Sequence, residues 1–288
     1  MKIFQKGFNY SQDGAGNRLV YHLQGCNMKC PWCANPEGMK MDGVLVADEE
    51  WLLESICPKG AIQGTQVERS ICAACGDREC ITKHNTKGMY LSYTEQSVEE
   101  IVQEVLDNEM MFYDGGGVTF TGGEATMQYE ELKSLLIALK KHDIHIAIET
   151  NGSHPHLQEL FPYIDQLIMD CKIMDAENHR KYIGVSNETV LQNITAAAVA
   201  HSCLHVRVPL IGGVNDEAEE RAAFLAFFDG IKGPHVTFEV LSYHEFGKKK
   251  WKECGWDYTM DGNAYVKEET LQKFKKDIAA LGAKYERT

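Results

Sequence analysis

Three cysteines stand close together at Cys26, Cys30 and Cys33, in the run Gly25-Cys26-Asn27-Met28-Lys29-Cys30-Pro31-Trp32-Cys33. Thiolates suit iron–sulfur clusters and zinc, and a purely structural site of either kind usually takes four protein ligands. A CxxxCxxC group with no fourth cysteine nearby leaves one metal position open, and an open iron can bind a small molecule directly. The competing reading is a zinc ion completed by a distant histidine such as His22, although structural zinc more often uses paired CxxC spacings. A looser group follows at Cys57, Cys72, Cys75 and Cys80. Cys171, Cys203 and Cys254 stand alone, which accounts for all 10 cysteines. In a reducing compartment, that many cysteines point to metal or redox chemistry before disulfides.

Other groups gather at the ends of apolar runs. Strand-like runs recur as VYHL at Val20, VTFT at Val118, IHIAIE at Ile144, QLIMD at Gln166, LHVRVPL at Leu204 and HVTFEVL at His235. Helical periodicity lies between them, at residues 95–111, 129–141, 189–200 and 216–228. Alternating strand and helix implies parallel βαβ units, in a barrel or an open sheet. Gly25 and Pro31 disfavour a helix through the first cysteines. They belong in a loop at the carboxyl end of the first strand, where α/β folds place their chemistry. Gly122-Gly123-Glu124, Glu149-Thr150-Asn151-Gly152, Asp170-Cys171-Lys172 and Ser242-Tyr243-His244 close later strands. Two glycines let backbone approach a ligand closely, yet such a pair is most often a plain turn. Arg207 lies among valines, where an unpaired charge is costly. It either salt-bridges inside the fold or touches a ligand. The stretch 41–90 breaks the rhythm and reads as a small inserted module, dividing the chain into 1–40 with 91–288, and 41–90.

A chain of 288 residues fits a single α/β barrel. Hydrophobic residues at 44% and charged residues at 25% are the balance of a globular chain and exclude a mainly disordered or fibrous one. With 29 basic against 42 acidic residues the net charge is −13, which argues against a phosphate backbone as partner. No apolar run approaches the roughly 18 residues of a membrane span. The first residues, MKIFQKGFNYSQDG, lack the apolar core of a secretion signal. The expectation is a cytoplasmic protein with no nucleic acid or membrane partner.

These motifs together resemble a known family. CxxxCxxC after the first strand is similar to the signature of radical S-adenosylmethionine (SAM) enzymes. Asp13-Gly14-Ala15-Gly16-Asn17-Arg18 ahead of GCNMKCPWCANPE resembles the activating enzymes of glycyl radical enzymes, the pyruvate formate-lyase activase group. That group commonly has DGPG; here Ala15 replaces the proline, while Asp13 and both glycines remain. The resemblance implies an α/β fold, a partial (β/α)6 TIM-like barrel open on one side, with a small ferredoxin-like cysteine-rich insert. Such an opening suits a macromolecular substrate. It implies that Cys26, Cys30 and Cys33 hold three irons of a [4Fe–4S] cluster whose open iron chelates the amino and carboxylate groups of SAM. Trp32, Cys33 and Ala34 would pass close to the adenine or its ribose. Gly122, Gly123 and Glu124 would contact the SAM amino group. Glu149, Thr150 and Asp170 would sit near the SAM carboxylate, around a monovalent cation. Lys172, the backbone of Cys171, Arg207 and His244 complete the implied SAM pocket. Asp13 and Gly14 would position the partner's glycine loop.

Cys57-Pro58-Lys59-Gly60-Ala61-Ile62 and Cys72-Ala73-Ala74-Cys75-Gly76, with Cys80 beyond, resemble fragments of a ferredoxin. Many larger activases carry eight cysteines here, for two clusters. Four cysteines suffice for one auxiliary [4Fe–4S] cluster; a four-cysteine zinc site and a metal-free insert are the alternatives. A module this small usually needs a staple to fold. Cys171, Cys203 and Cys254 read as buried structural residues. The implied mechanism has flavodoxin or ferredoxin reduce the first cluster. SAM then splits to methionine and a 5′-deoxyadenosyl radical, which takes a hydrogen from a glycine of a partner glycyl radical enzyme. A radical SAM enzyme acting on a small molecule or peptide is one alternative, and a non-catalytic electron-transfer or zinc module is another.

Overall fold

A computed structural model describes residues 1–84 and 87–282, together with the backbone of a short strand at Lys284–Tyr285. The long strands are β1 (Lys2–Tyr10), β2 (Asn17–Leu23), β3 (Gly117–Gly122), β4 (Ile146–Thr150), β5 (Gln166–Asp170), β6 (Leu204–Leu210) and β7 (Val236–Ser242). Strands β2 to β7 lie side by side in chain order, and each pair is parallel. These are the six apolar runs of the sequence. They are buried almost throughout, as parallel strands covered on both faces must be. The family's α/β sheet is therefore present, with the cysteine loop following its first parallel strand.

Two edges extend it. Strand β1 runs antiparallel to β2. Thr94–Glu95 pairs with β1 only at Lys2 and Ile3. Lys284–Tyr285 adds to β7. The helical periods fall on Val98–Asp107, Tyr129–Lys140, Glu188–Ala200 and Ala218–Ile231. Ser97 and Glu100 start the first of these with a reciprocal capping box, satisfying two amides that the helix cannot. Leu132, Leu135, Leu136 and Leu139 of the second are fully buried against the sheet, the i, i+3, i+4, i+7 stripe of an amphipathic helix. Between β4 and β5 the crossover is a 3-10 stretch, Leu157–Tyr163, with Pro162 inside it. Proline forbids a regular α-helix there.

The stretch 41–90 has more order than its sequence announces. Leu45–Ala47 pairs antiparallel with Met89–Leu91, so its two ends meet. Between them lie a hairpin of Ile62–Gln63 with Gln66–Val67 and short helices at Arg69–Ala73 and Glu79–Thr82. Ala47, Ile56, Ile62, Cys80 and Met89 form a small core of their own. Elements of two to five residues are too short to leave a periodic signal. Among the described residues no helix is long and apolar enough to cross a membrane.

Candidate active site

The chain leaves β2 at Leu23 and turns at Gly25, whose φ of +103° is a left-handed conformation that favours glycine. Gly25 N–H donates to Gly38 O at 2.8 Å and Cys26 N–H to Met39 O at 2.9 Å, pinning the loop to the segment that returns past it. No helix forms from Cys26 to Cys33, as Gly25 and Pro31 predict. All three thiols are free. Backbone N–H groups of Met28 and Asn35 donate to the sulfurs of Cys26 and Cys33, each at 3.4 Å. Burial pushes all three thiols up, Cys33 to about 12. A metal would displace those protons, since thiolate is the ligand form.

The three cysteines line a cleft of about 790 Å³ at the carboxyl ends of the parallel strands. That volume lies within the range of small-molecule sites. Asp13, Trp32, Ala34, Gly122, Gly123, Glu124, Glu149, Thr150, Asp170, Lys172, Arg207 and His244 line the same cleft. Residues drawn from seven segments of the chain thus meet in one place.

The glycine pair differs from the reading that it makes room for a ligand. A Cβ at Gly122 would lie 2.3 Å from Leu23 N, and one at Gly123 would lie 2.4 Å from Gly25 O. The space is taken by the backbone of β2 and of the cysteine loop. Glu124 N–H then donates to Gly25 O at 2.8 Å, locking the β3 end to the cysteines. The Glu124 side chain, 2% exposed, accepts from Thr126 N–H, Thr126 Oγ1, Thr150 Oγ1 and Asn151 N–H.

Arg207 satisfies both of its sequence readings. It lines the cleft and is paired inside the fold, with Glu149 at 2.7 Å and Glu239 at 3.0 Å. Burial would raise Glu149, but Arg207 and the Thr121 hydroxyl hold it below the usual carboxylate range. Lys172 forms an ion pair with Asp170. Burial alone would discharge its ammonium, yet Asp170 and the Cys30 sulfur raise it. Burial, then the Glu149 charge, lifts Asp13 to about 6. His244 stacks on Phe246 with ring centres 4.2 Å apart, and burial lowers it.

Of the residues implied for the SAM pocket, Cys171 is missing from the cleft lining. Cys171 points into the core, 1% exposed, with its sulfur 3.6 Å from that of Met174. Neighbouring side chains on extended backbone point to opposite faces, so Asp170 and Lys172 turn their side chains to the cleft and Cys171 turns its own away. Gly14, implied to position the partner's glycine loop, lies against the side chains of Arg18 and Gln166. Cys203, expected to be buried, is exposed; Cys254 is buried beside Val44 and Val46.

Sequence reasoning passed over two groups. Arg18, 1% exposed, donates to Thr119 Oγ1 at 2.7 Å, Val118 O at 2.6 Å and Ala15 O at 3.1 Å. It ties the Asp13–Gly16 loop to β3; an arginine in an apolar strand was the signal, as at Arg207. The helix Lys248–Glu253 clamps the cysteine loop. Trp251 Nε1 donates to Cys33 O at 2.9 Å, and Lys250 Nζ reaches Asn35 Oδ1 at 2.7 Å and Glu37 Oε1 at 2.6 Å. A tryptophan after three lysines was its only trace. His22, the distant histidine of the zinc reading, lines the same cleft beside the Phe4 ring, and burial lowers it.

The four later cysteines gather away from the cleft. Burial raises Cys80, and so do Cys57, Cys72 and Cys75 around it. Cys57 Sγ accepts from Ala61 N–H at 3.3 Å. Among the described residues no three His, Cys, Asp or Glu side chains are drawn in tightly enough to hold a single metal ion. A four-iron cluster spreads its ligands around a cube, and the donor set of the cleft, three thiols on one loop with neutral and charged donors beyond them, suits one.

Comparison with known proteins agrees with this geometry. The model of the radical SAM superfamily matches residues 20–226. The chain is 30% identical over 280 residues to the 4-hydroxyphenylacetate decarboxylase activating enzyme of Clostridioides difficile (strain CD196), covering 91% of this chain and 88% of that one. It is 31% identical over 287 residues to the isethionate sulfite-lyase activating enzyme of Desulfovibrio desulfuricans, covering 92% and 91%. A radical SAM methyltransferase from Sphaerobacter thermophilus shares the fold, with a TM-score of 0.55 at 11% identity over 97% of this chain and 67% of that one. The chain belongs to the radical SAM superfamily and, within it, to the family of activating enzymes whose motifs it resembles. Membership implies a [4Fe–4S] cluster and SAM.

Proposed function

We propose that this enzyme binds SAM against a cluster held by Cys26, Cys30 and Cys33 and uses it to place a radical on a glycine of a partner glycyl radical enzyme. The observation that carries this reading is the shared cleft, which three thiols of one loop line together with Glu124, Lys172 and Arg207. The cluster, when bound, supplies one electron for cleavage of the sulfonium. The chain supplies the rest. Glu124 accepts the SAM ammonium, and Gly122 and Gly123 hold it there by fixing β3 to the cysteine loop. Lys172 and Arg207 offset the charge of the SAM carboxylate beside Glu149, Thr150 and Asp170. Trp32, Ala34 and His244 flank the adenosine side. Asp13 and its loop meet the partner's glycine.

The finer parts of the proposal concern the remainder of the chain. Residues 41–90 form a ferredoxin-like module on a barrel made of 1–40 and 91–288, and Cys57, Cys72, Cys75 and Cys80 hold one auxiliary [4Fe–4S] cluster. Flavodoxin or ferredoxin serves as reductant. A monovalent cation near Glu149, Thr150 and Asp170 would have to draw them from Arg207, Glu124 and Lys172; SAM affinity measured with and without potassium tests it.

Electron paramagnetic resonance tests the main reading. Anaerobic, reconstituted protein is mixed with SAM, reductant and a candidate partner. The expected result is a doublet that loses its splitting when the partner's glycine is deuterated at Cα. Loss of deoxyadenosine formation should accompany Cys30→Ala. A wild-type protein with its cluster confirmed, yet forming neither deoxyadenosine nor a doublet with any partner, would overturn the proposal.

A further inference from the structure

Strand β1 is unusual for the edge of a sheet. From Gln5 to Phe8 four consecutive residues are exposed. Thr94–Glu95 covers the outer edge only at Lys2 and Ile3, so among the described residues no strand pairs with the rest. Natural edges are normally blunted by charge, proline or a cover, because their free N–H and C=O groups invite another chain. From Gln5 to Tyr10 there is no proline, and the single charge, Lys6, is neutralised by Glu104 at 2.7 Å. The register slip in the pairing of β1 with β2 lies nearer the start, between Ile3 and Gln5. A Cβ added at Gly7 would meet nothing within 4 Å.

The edge also leads somewhere. Gln5 lines the cleft, and Asn9 Nδ2 donates to the Asp13 carboxylate. On the alternate positions Phe8 is 43% and Tyr10 53% exposed. Tyr10 packs near Tyr113, itself 51% exposed, with ring centres 6.2 Å apart. The strand thus offers unpaired backbone, flanking aromatic rings and continuity with the reacting end of the cleft. Six residues of strand, 5–10, span roughly 20 Å, enough for one added strand of about the usual length.

Resting on the function proposed above, we infer that the edge of β1 from Gln5 to Tyr10 receives an extended segment of the partner protein as an added strand. Backbone hydrogen bonds would fix the register, and Phe8, Tyr10 and Tyr113 would contact alternate side chains. The segment runs on toward Asp13 and carries its glycine into the cleft. A backbone-read docking strand suits this task, because the group to be reached is a glycine, which offers no side chain to recognise.

Hydrogen exchange read by mass spectrometry tests it on the whole chain, loaded with cluster and SAM, with and without the partner whose glycine acquires the radical. The expected result is slowing of about tenfold or more at amides within 5–10 when the partner is added. Radical formation on a partner that leaves those amides unprotected overturns the docking strand and leaves the proposed function standing. Absence of both deoxyadenosine and radical with every partner fails the proposed function instead. Protection that appears without partner and grows with protein concentration would assign the edge to a second copy of the chain, and also overturns the inference.

Discussion

Glu124 is held by four donors and is buried at the wall of the cleft. Removing an acceptor of that kind strands its donors, and each buried unpaired group costs about 1–3 kcal/mol. Glu124→Ala should therefore lower unfolding free energy by about 2–4 kcal/mol in urea and weaken SAM binding in the same preparation. Unchanged stability would show that the hydrogen bonds are not formed in solution. Asp13 makes a pH prediction. Its carboxyl, raised to about 6 by burial and by Glu149, binds its proton more tightly in the fold than in the unfolded chain, where the value is near 3.9. The contribution to stability is then complete below about pH 4 and lost as pH rises through about 6. Asp13→Asn should remove that decline, so that variant and wild type converge in acid and separate at neutral pH. Most cleft residues were legible at this scale because they sit at a strand end or in the cysteine loop, in a recognisable motif, and Arg207 because it stands as a charge inside an apolar strand. The side chain of Cys171 turns to the core, which its motif does not say. Arg18 went unread because its partners, Thr119, Val118 and Ala15, are brought to it only by folding.

The elements explain why the cysteine loop holds its shape. It is fastened on one side by the end of β3 and on the other by the helix Lys248–Glu253. Trp251→Phe keeps the ring contacts with Trp256 and Tyr258 and removes only the hydrogen bond to Cys33 O. A loss of about 1 kcal/mol in stability is expected, together with lower iron retention on desalting, read by iron content and absorbance. Full retention would mean that the clamp is dispensable. The parallel strands and the longer helices could be read from apolar runs and periods. Strand β1 could not, because its exposed residues carry no alternation of burial. The crossover Leu157–Tyr163 escaped because its 3-10 geometry has no 3.6-residue repeat.

The molecule as a whole is a parallel sheet with one long excursion. Leu45–Ala47 and Met89–Leu91 bring the ends of that excursion side by side. Replacing residues 48–88 with a two-residue turn should leave a folded barrel that still binds SAM, with iron falling from about eight to about four atoms per chain if the excursion holds one cluster. Unchanged iron would exclude an auxiliary cluster, and loss of SAM binding would show that the barrel depends on the excursion. The cleft has a further consequence, which lies in ligand turnover. Arg207 is matched by Glu149 and Glu239, Lys172 by Asp170, and Lys250 by Glu37. The four hydrogen bonds to Glu124 come from neutral groups. A cation for it must come from whatever enters, and in the function proposed above that cation is the SAM ammonium. S-adenosylmethionine and S-adenosylhomocysteine share that ammonium, so Glu124→Gln should weaken both by similar factors in calorimetric titration, and unchanged affinity would remove Glu124 from the amino-group site. Occupancy of the cleft would then rest on an amino group that the methionine fragment keeps, so that spent methionine competes with fresh S-adenosylmethionine until it is diluted away.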